Sequence, residues 1–244
     1  MKIIVNGACG RMGAEIIKRI DASEKYELAC GVDTRADGSY ASIVDAFPEK
    51  TDADVIIDFS HHSCTKQLIA YAVSHALPAV VATTGQTAEE NALIEEASKV
   101  IPVFRSANMS LGVAALSAFA RRAAELFPDA EIEIVETHHD QKLDSPSGTA
   151  LLLAERIKEV RPGSVIVCGR SGHGKREKNE IGVHSLRLGN VVGEHSVIFD
   201  NGEESITVTH RAGDRSLFAA GALKAARFIA GRGKGLYDMR DVVE

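Results

Sequence analysis

The 244-residue sequence has no tryptophan and only 5% aromatic residues, so its core must be largely aliphatic. No apolar run approaches the ~20 residues that a membrane-spanning helix needs. The opening MKIIVNGACG turns into glycine too early for the apolar stretch of a signal peptide. Cysteine is sparse: Cys9, Cys30, Cys64 and Cys168 lie far apart, with no CxxC pair and no Cys/His cluster at zinc spacing. Reduced, mostly buried thiols are expected. An excess of basic residues is also missing. The 28 Lys and Arg against 34 Asp and Glu leave a net charge of −6, which weighs against a polyanionic partner. One local basic patch, RSGHGKREK at 170–178, stands apart from that balance. The expectation is a soluble cytoplasmic protein of one large or two modest domains, with neither nucleic acid nor membrane as partner.

What is present is alternation. Residues 2–6, 28–32, 54–59, 79–82 and 100–105 read as short apolar strands; 10–20, 65–75 and 87–99 read as the helices between them. Thr87 with Glu90 three residues on has capping-box spacing. Strand and helix in turn imply a parallel sheet covered on both faces. The pattern changes after about residue 108. A long Ala-rich helix is expected over 110–127, an alternating strand over 130–137, a helix over 150–160 and mostly strand over 165–208. Asp200-Asn201-Gly202 marks a hairpin between alternating runs. This second region reads as α+β with one sheet face left free to pack, and an apolar helix follows over 217–230.

The 21 glycines gain meaning from where they fall. The first strand runs into Gly7-Ala8-Cys9-Gly10-Arg11-Met12-Gly13, a GxxGxxG loop that opens a helix. Such a loop lets backbone approach a pyrophosphate, and the helix N-terminus offers free N–H groups. Asp33 ends the second strand, where an acid would meet the ribose hydroxyls of a dinucleotide. Asp33 would repel a 2′-phosphate and favour NADH, whereas Arg11 and Arg35 offset that repulsion and admit NADPH. Use of NADH or NADPH is expected.

The densest polar cluster is ETHHDQKLDSPSGTA at 136–150. Ser145 precedes proline and should be extended, so Ser147 fits an N-cap with Gly148 and Thr149 in the first helical turn. A second anion site follows, suited to phosphate or carboxylate. Three readings of the histidines stay open. Two His and an Asp could bind a metal, although adjacent His138 and His139 on a strand face opposite ways. The cluster could be a solvated loop before an ordinary capped helix. Or His138, His139 and Lys142 could form an acid/base site beside the anion pocket.

The run E-x-H-H-x-x-K-x-D-x-P-S-G-T-A closely resembles the signature of the 4-hydroxy-tetrahydrodipicolinate reductase (dihydrodipicolinate reductase) family. The resemblance spans the chain: GACGRMG, the TTG after the fourth strand, SANMS at 106–110, EIGVHSLRLGNVVGEH at 180–195 and YDMRDVV at 237–243. It implies NAD(P)H-dependent reduction of 4-hydroxy-tetrahydrodipicolinate, a dicarboxylate, on the diaminopimelate route to lysine. It implies that Gly7, Ala8, Cys9, Gly10, Arg11, Met12 and Asp33 hold the dinucleotide. Ala82, Thr83, Thr84, Ser106, Ala107, Asn108 and Met109 would line its nicotinamide end. His138 would be the acid/base residue and Lys142 a proton donor, while His139, Ser147, Gly148 and Thr149 grip the substrate; no metal is implied. A Rossmann-type domain of 1–108 plus 216–244 and an α+β substrate-binding domain of 109–215, assembling a homotetramer, complete the expectation. Ser145 and Ala82 depart from the family's usual Ala and Gly, and Thr34 follows Asp33 where some members carry Arg. Another Rossmann oxidoreductase of amino-acid dehydrogenase type, or a non-catalytic NAD-binding sensor, would share the glycine loop but not the 136–150 segment.

Overall fold

A computed structural model describes residues 1–36, 38 and 42–243. The elements run β1 (Lys2–Asn6), α1 (Arg11–Asp21), β2 (Glu27–Val32), β3 (Ile43–Val44), β4 (Val55–Asp58), α2 (Thr65–Ser74), β5 (Ala79–Val81), α3 (Ala88–Ser98) and β6 (Pro102–Arg105). They continue through α4 (Leu111–Leu126), β7 (Glu131–His138), α5 (Gly148–Lys158), β8 (Val165–Cys168), β9 (Glu180–Arg187), β10 (Glu194–Asp200) and β11 (Ser205–Arg211). The last are α6 (Ser216–Ile229), β12 (Gly235–Tyr237) and α7 (Arg240–Val243). Two compact units result: Met1–Leu111 with Ser216–Val242, and a second formed by Gly112–Arg215.

In the first unit seven parallel strands stand in the order β12-β6-β5-β4-β1-β2-β3. Its central strands are buried on both faces, which is why Val55, Ile56 and Ile57 form an unbroken apolar run. The capping box at α3 is present in both directions, Glu90 N–H to Thr87 Oγ1 at 3.3 Å and Thr87 N–H to Glu90 Oε2 at 2.8 Å. The helix over 216–229 belongs to this unit; Arg19 on α1 donates to Ser216 Oγ at its start, 2.7 Å away. Two strands escaped the sequence reading. Ile43–Val44 and Gly235–Tyr237 are too short to show a period, the latter following the Gly-rich run at 231–235; each gains its strand only by pairing at a sheet edge.

The second unit holds a five-stranded mixed sheet, β11-β10-β7-β9-β8. Its alternating strands bury one face under α4 and α5, where Leu116, Ala120, Ile132, Ile134, Leu153, Ile157, Val183 and Phe199 form the core. The opposite face carries Glu133, Val135, His184, Leu186, Ser196 and Ile198 and is not covered by this unit's own elements. The hairpin falls where Asn-Gly placed it, but with a four-residue loop: Asp200 pairs with Ser205, and Asn201 Oδ1 accepts from the Glu203 and Glu204 N–H groups. The stretch 170–178 is a loop whose arginines are engaged. Arg176 pairs with Glu131, Glu133 and Glu180, and Arg170 pairs with Glu180. The two arginines of the basic patch are therefore paired with this unit's own acids.

The cysteines depart from expectation. All four are free, but Cys9 and Cys168 are exposed, not buried, because one lies in the glycine loop and the other ends the edge strand β8. No helix among the described residues is long and apolar enough to cross a membrane.

Candidate active site

The glycine loop occupies the turn from β1 to α1. Gly7 has a φ of +82°, and a Cβ there would lie 2.6 Å from Phe59 O, so glycine is required. A Cβ on Gly13 would meet Gly7 O at 2.1 Å, which explains how α1 starts so close to the loop. Gly10 is the N-cap and contributes no side-chain cap, and no acid stands in the first turn. The N–H groups of Arg11, Met12 and Gly13 are thus left for an external anion. Ala8 faces inward, 2% exposed and packed towards Gly31, so its contribution to a ligand is backbone alone.

Asp33 sits just past β2, its carboxylate accepting from Cys9 N–H at 3.0 Å and from Arg35 through N–H, Nε and Nη2 at 2.9, 3.1 and 3.2 Å. Those bonds, the Arg35 side chain first, hold the Asp33 carboxyl below its ordinary range. Gly7, Gly10, Asp33, Arg35, Phe47 and His61 share the walls of an open cavity of about 330 Å³. Its glycine rim, uncapped helix start and ribose-height acid fit a nicotinamide dinucleotide. Asp58, buried at the end of β4, was not singled out by the sequence. It accepts from Asn6 Nδ2 at 2.8 Å and Ser60 Oγ at 2.6 Å and so shapes the wall beside Ser60.

The nicotinamide-end candidates follow the next strands. Ala82, Thr83 and Thr84 leave β5, and the Thr83 carbonyl accepts from Gln86 Nε2 at 2.8 Å. Ser106, Ala107, Asn108 and Met109 link β6 to α4. Ser106 and Ala107 border a separate cavity with Arg105 and Tyr237, while the Met109 side chain is buried at 2% exposure. The two groups of candidates therefore sit in one unit but not around one cavity.

The second unit gathers the remaining candidates. His138 ends β7, His139 and Lys142 lie in the following loop, and Ser147 caps α5, accepting from Ala150 N–H at 3.2 Å. Gly148 and Thr149 open that helix, two residues before the start expected from periodicity. His138 Nδ1 is 2.5 Å from Glu136 Oε2, a carboxylate with no solvent exposure. Arg187 on β9 grips both Glu136 oxygens at 2.9 and 3.0 Å and also donates to Asp144 O at 2.6 Å. The Ser147 N–H donates to Glu136 Oε1 at 3.0 Å, and its hydroxyl meets His195 Nε2 at 3.1 Å. Lys142 Nζ lies 2.7 Å from Asp144 Oδ1.

Burial alone would push the Glu136 carboxyl up, but the bonds from Arg187, His138, Ser185 and Ser147 outweigh it and bring it down to about 2. Burial, with His138 nearby, lowers His195 to about 4. The His138 and His195 rings meet edge to face at 5.1 Å. Glu136, Arg187 and His195 were given no role by the sequence reading, although all three lie in the runs that carry the family resemblance and two-residue spacing puts Glu136 and His138 on one strand face. Among the described residues no group of three or more His, Cys, Asp or Glu side chains has metal-binding geometry.

Two family models match the chain. Dihydrodipicolinate reductase, N-terminus, covers residues 1–109, and Dihydrodipicolinate reductase, C-terminus, covers 112–243. The chain belongs to the dihydrodipicolinate reductase family. It is 43% identical over 247 residues to the 4-hydroxy-tetrahydrodipicolinate reductase of Caldanaerobacter subterraneus subsp. tengcongensis, covering 100% of this chain and 98% of the relative. Among solved structures it resembles the dipicolinate-bound dihydrodipicolinate reductase from Paenisporosarcina sp. TG-14, with a TM-score of 0.79, 25% identity and 99% of each chain covered. A DAP dehydrogenase of C. glutamicum shares the fold alone, at a TM-score of 0.60 and 14% identity over 99% of this chain and 93% of that one.

The lowered His195 has a consequence for stability. Its folded value of about 4 lies below the ordinary 6.5, so the stabilisation it contributes is present above pH 6.5 and lost as pH falls towards 4. The expected size is on the order of 3 kcal/mol between those limits. Urea titrations of wild type and His195→Gln across that range should show a steeper loss of stability with falling pH in wild type. Equal slopes would refute a neutral buried imidazole.

Proposed function

We propose that this chain reduces (2S,4S)-4-hydroxy-2,3,4,5-tetrahydrodipicolinate to tetrahydrodipicolinate and water, using NADH or NADPH, on the diaminopimelate route to lysine. The observation that carries the reading is the arrangement at α5: His138, Lys142 and two first-turn N–H groups converge at a helix start built for carboxylate. The relatives' names and the dipicolinate held by a solved family member support a dicarboxylate substrate. A DAP dehydrogenase shares only the fold, so an amino-acid dehydrogenase reading has no comparable support.

When bound, the nicotinamide supplies the hydride, and the residues around both sites do the remaining work. Gly7 to Met12 and Asp33 hold the dinucleotide, with Ala82, Thr83, Thr84 and Ser106 to Met109 towards its nicotinamide end. His139, Gly148 and Thr149 bind the substrate carboxylates. Ser147 assists indirectly, because its hydroxyl is committed to the cap and to His195. Substrate binding frees Lys142 from Asp144 to give a proton to the ring, with His138 as the partner acid/base group. Hydroxide leaves together with a ring C–H proton as water, and the hydride and the Lys142 proton add to the ring, which balances the reaction.

Dual cofactor use rests on Arg35, which neutralises Asp33 at the ribose. The uncovered face of the second sheet, with Val135, Leu186 and Ile198 among polar neighbours, is our candidate surface for a homotetramer. Four free thiols suit the reducing cytoplasm, where we place the enzyme.

His138→Gln and Lys142→Met should each lower kcat by ~10²-fold or more in a coupled assay with the upstream synthase, aspartate semialdehyde and pyruvate. Near-full activity in both variants, with NADH still bound, would remove these roles. Arg35→Ala should lower kcat/KM with NADPH by about tenfold or more, ~1.4 kcal/mol, and change the NADH value by less than about threefold. A parallel fall with both cofactors would contradict the charge argument. Light scattering should give the mass of four chains, and Leu186→Asp should reduce it; a monomeric wild type would end the tetramer reading.

A further inference from the structure

We infer that Glu136 is a positioning residue that holds His138 as the Nδ1–H tautomer and presents its Nε2 to the substrate, with Arg187 fixing Glu136 in turn. The inference rests on the reading of His138 as an acid/base group. Its physical basis is a carboxylate with no exposure to water. Such a group must have every lone pair answered or it neutralises itself. Glu136 Oε2 receives His138 Nδ1–H and Arg187, while Oε1 receives Arg187 and the Ser147 N–H. With Nδ1 engaged, the other ring nitrogen is Nε2. It points towards Gly193, where a Cβ would come within 3.0 Å of it, so glycine there leaves the Nε2 edge open. An imidazole held in one tautomer by a buried acid is the arrangement that general acid/base chemistry needs.

Arg187 reaches further. The guanidinium that grips Glu136 also donates to Asp144 O, and Asp144 pairs with Lys142. The geometry therefore couples the two proton-bearing residues through one arginine. The charged and titratable groups facing His138 are Glu136 from β7, Arg187 from β9 and His195 from β10, with His210 of β11 beyond it and the Lys142–Asp144 pair in the loop. Glu136 is the only carboxylate bonded to the imidazole among the described residues.

The test is Glu136→Gln, which keeps the shape but removes the charge. We expect kcat to fall by about tenfold or more while KM for NADH stays within about twofold, since the dinucleotide loop is not touched. The pH limb of kcat/KM that disappears in His138→Gln should move down by about one unit or more in Glu136→Gln, because a neutral amide no longer favours the imidazolium. A purely structural role would lower activity or Tm without moving that limb. If His138→Gln is inactive but folded Glu136→Gln keeps the wild-type kcat and limb, the positioning role is overturned and the acid/base reading survives. If His138→Gln is itself fully active, both fall. Should Glu136→Gln fail to fold, ¹⁵N NMR of the wild-type histidines decides instead. A His138 signal with Nδ1 protonated and Nε2 bare is expected at pH above its titration, and the reverse tautomer would overturn the inference.

Discussion

A carboxylate withdrawn from water organises the second unit. Glu136 lies at 0% exposure in the middle of a strand, where an isolated charge would cost several kcal/mol. It is tolerated because β7, β9 and the start of α5 each bring a donor to it: His138, Arg187 and the Ser147 N–H. The same three donors tie the proposed acid/base imidazole, the loop that carries Lys142 and a helix N-terminus to one point. Satisfying one buried group and assembling the site are therefore a single packing problem.

The two units handle anions in parallel ways. Each has a helix whose first turn lacks an acidic residue, and near each start an aspartate is paired with a cation, Asp33 with Arg35 and Asp144 with Lys142. Donors directed at a future ligand are kept satisfied without closing the site, because an exposed pair of this kind is worth little and exchanges readily. Asp144 has a side chain 58% exposed and is free to be displaced in this way. Asp33, at 6%, is better suited to stay and receive the ribose.

Much of this was legible along the chain because the relevant signals are local. The glycine loop, the Thr87 capping box and the Ser147 cap depend on neighbours within a few residues, and all three appear in the structure. Apolar strands alternating with helices likewise announce a parallel sheet, since each element shows its own period. What escaped were elements and contacts held by distant partners. Ile43–Val44 and Gly235–Tyr237 are strands only because a neighbour offers an edge, and Cys9 and Cys168 are exposed because of where the loop and β8 end.

The sequence by itself determined the two helix starts, the acid after the second strand and the residue types crowded between 136 and 150, since backbone geometry and short spacings decide those. Only the tertiary structure decided that Arg187 and His195, 51 and 59 residues beyond Glu136 in number, would meet it and its neighbours. The physical reason is sheet pairing: β9 and β10 flank β7, so residues far apart in sequence come opposite one another across the ladder. Spacing along the chain specifies what each strand presents; register between strands specifies what it meets.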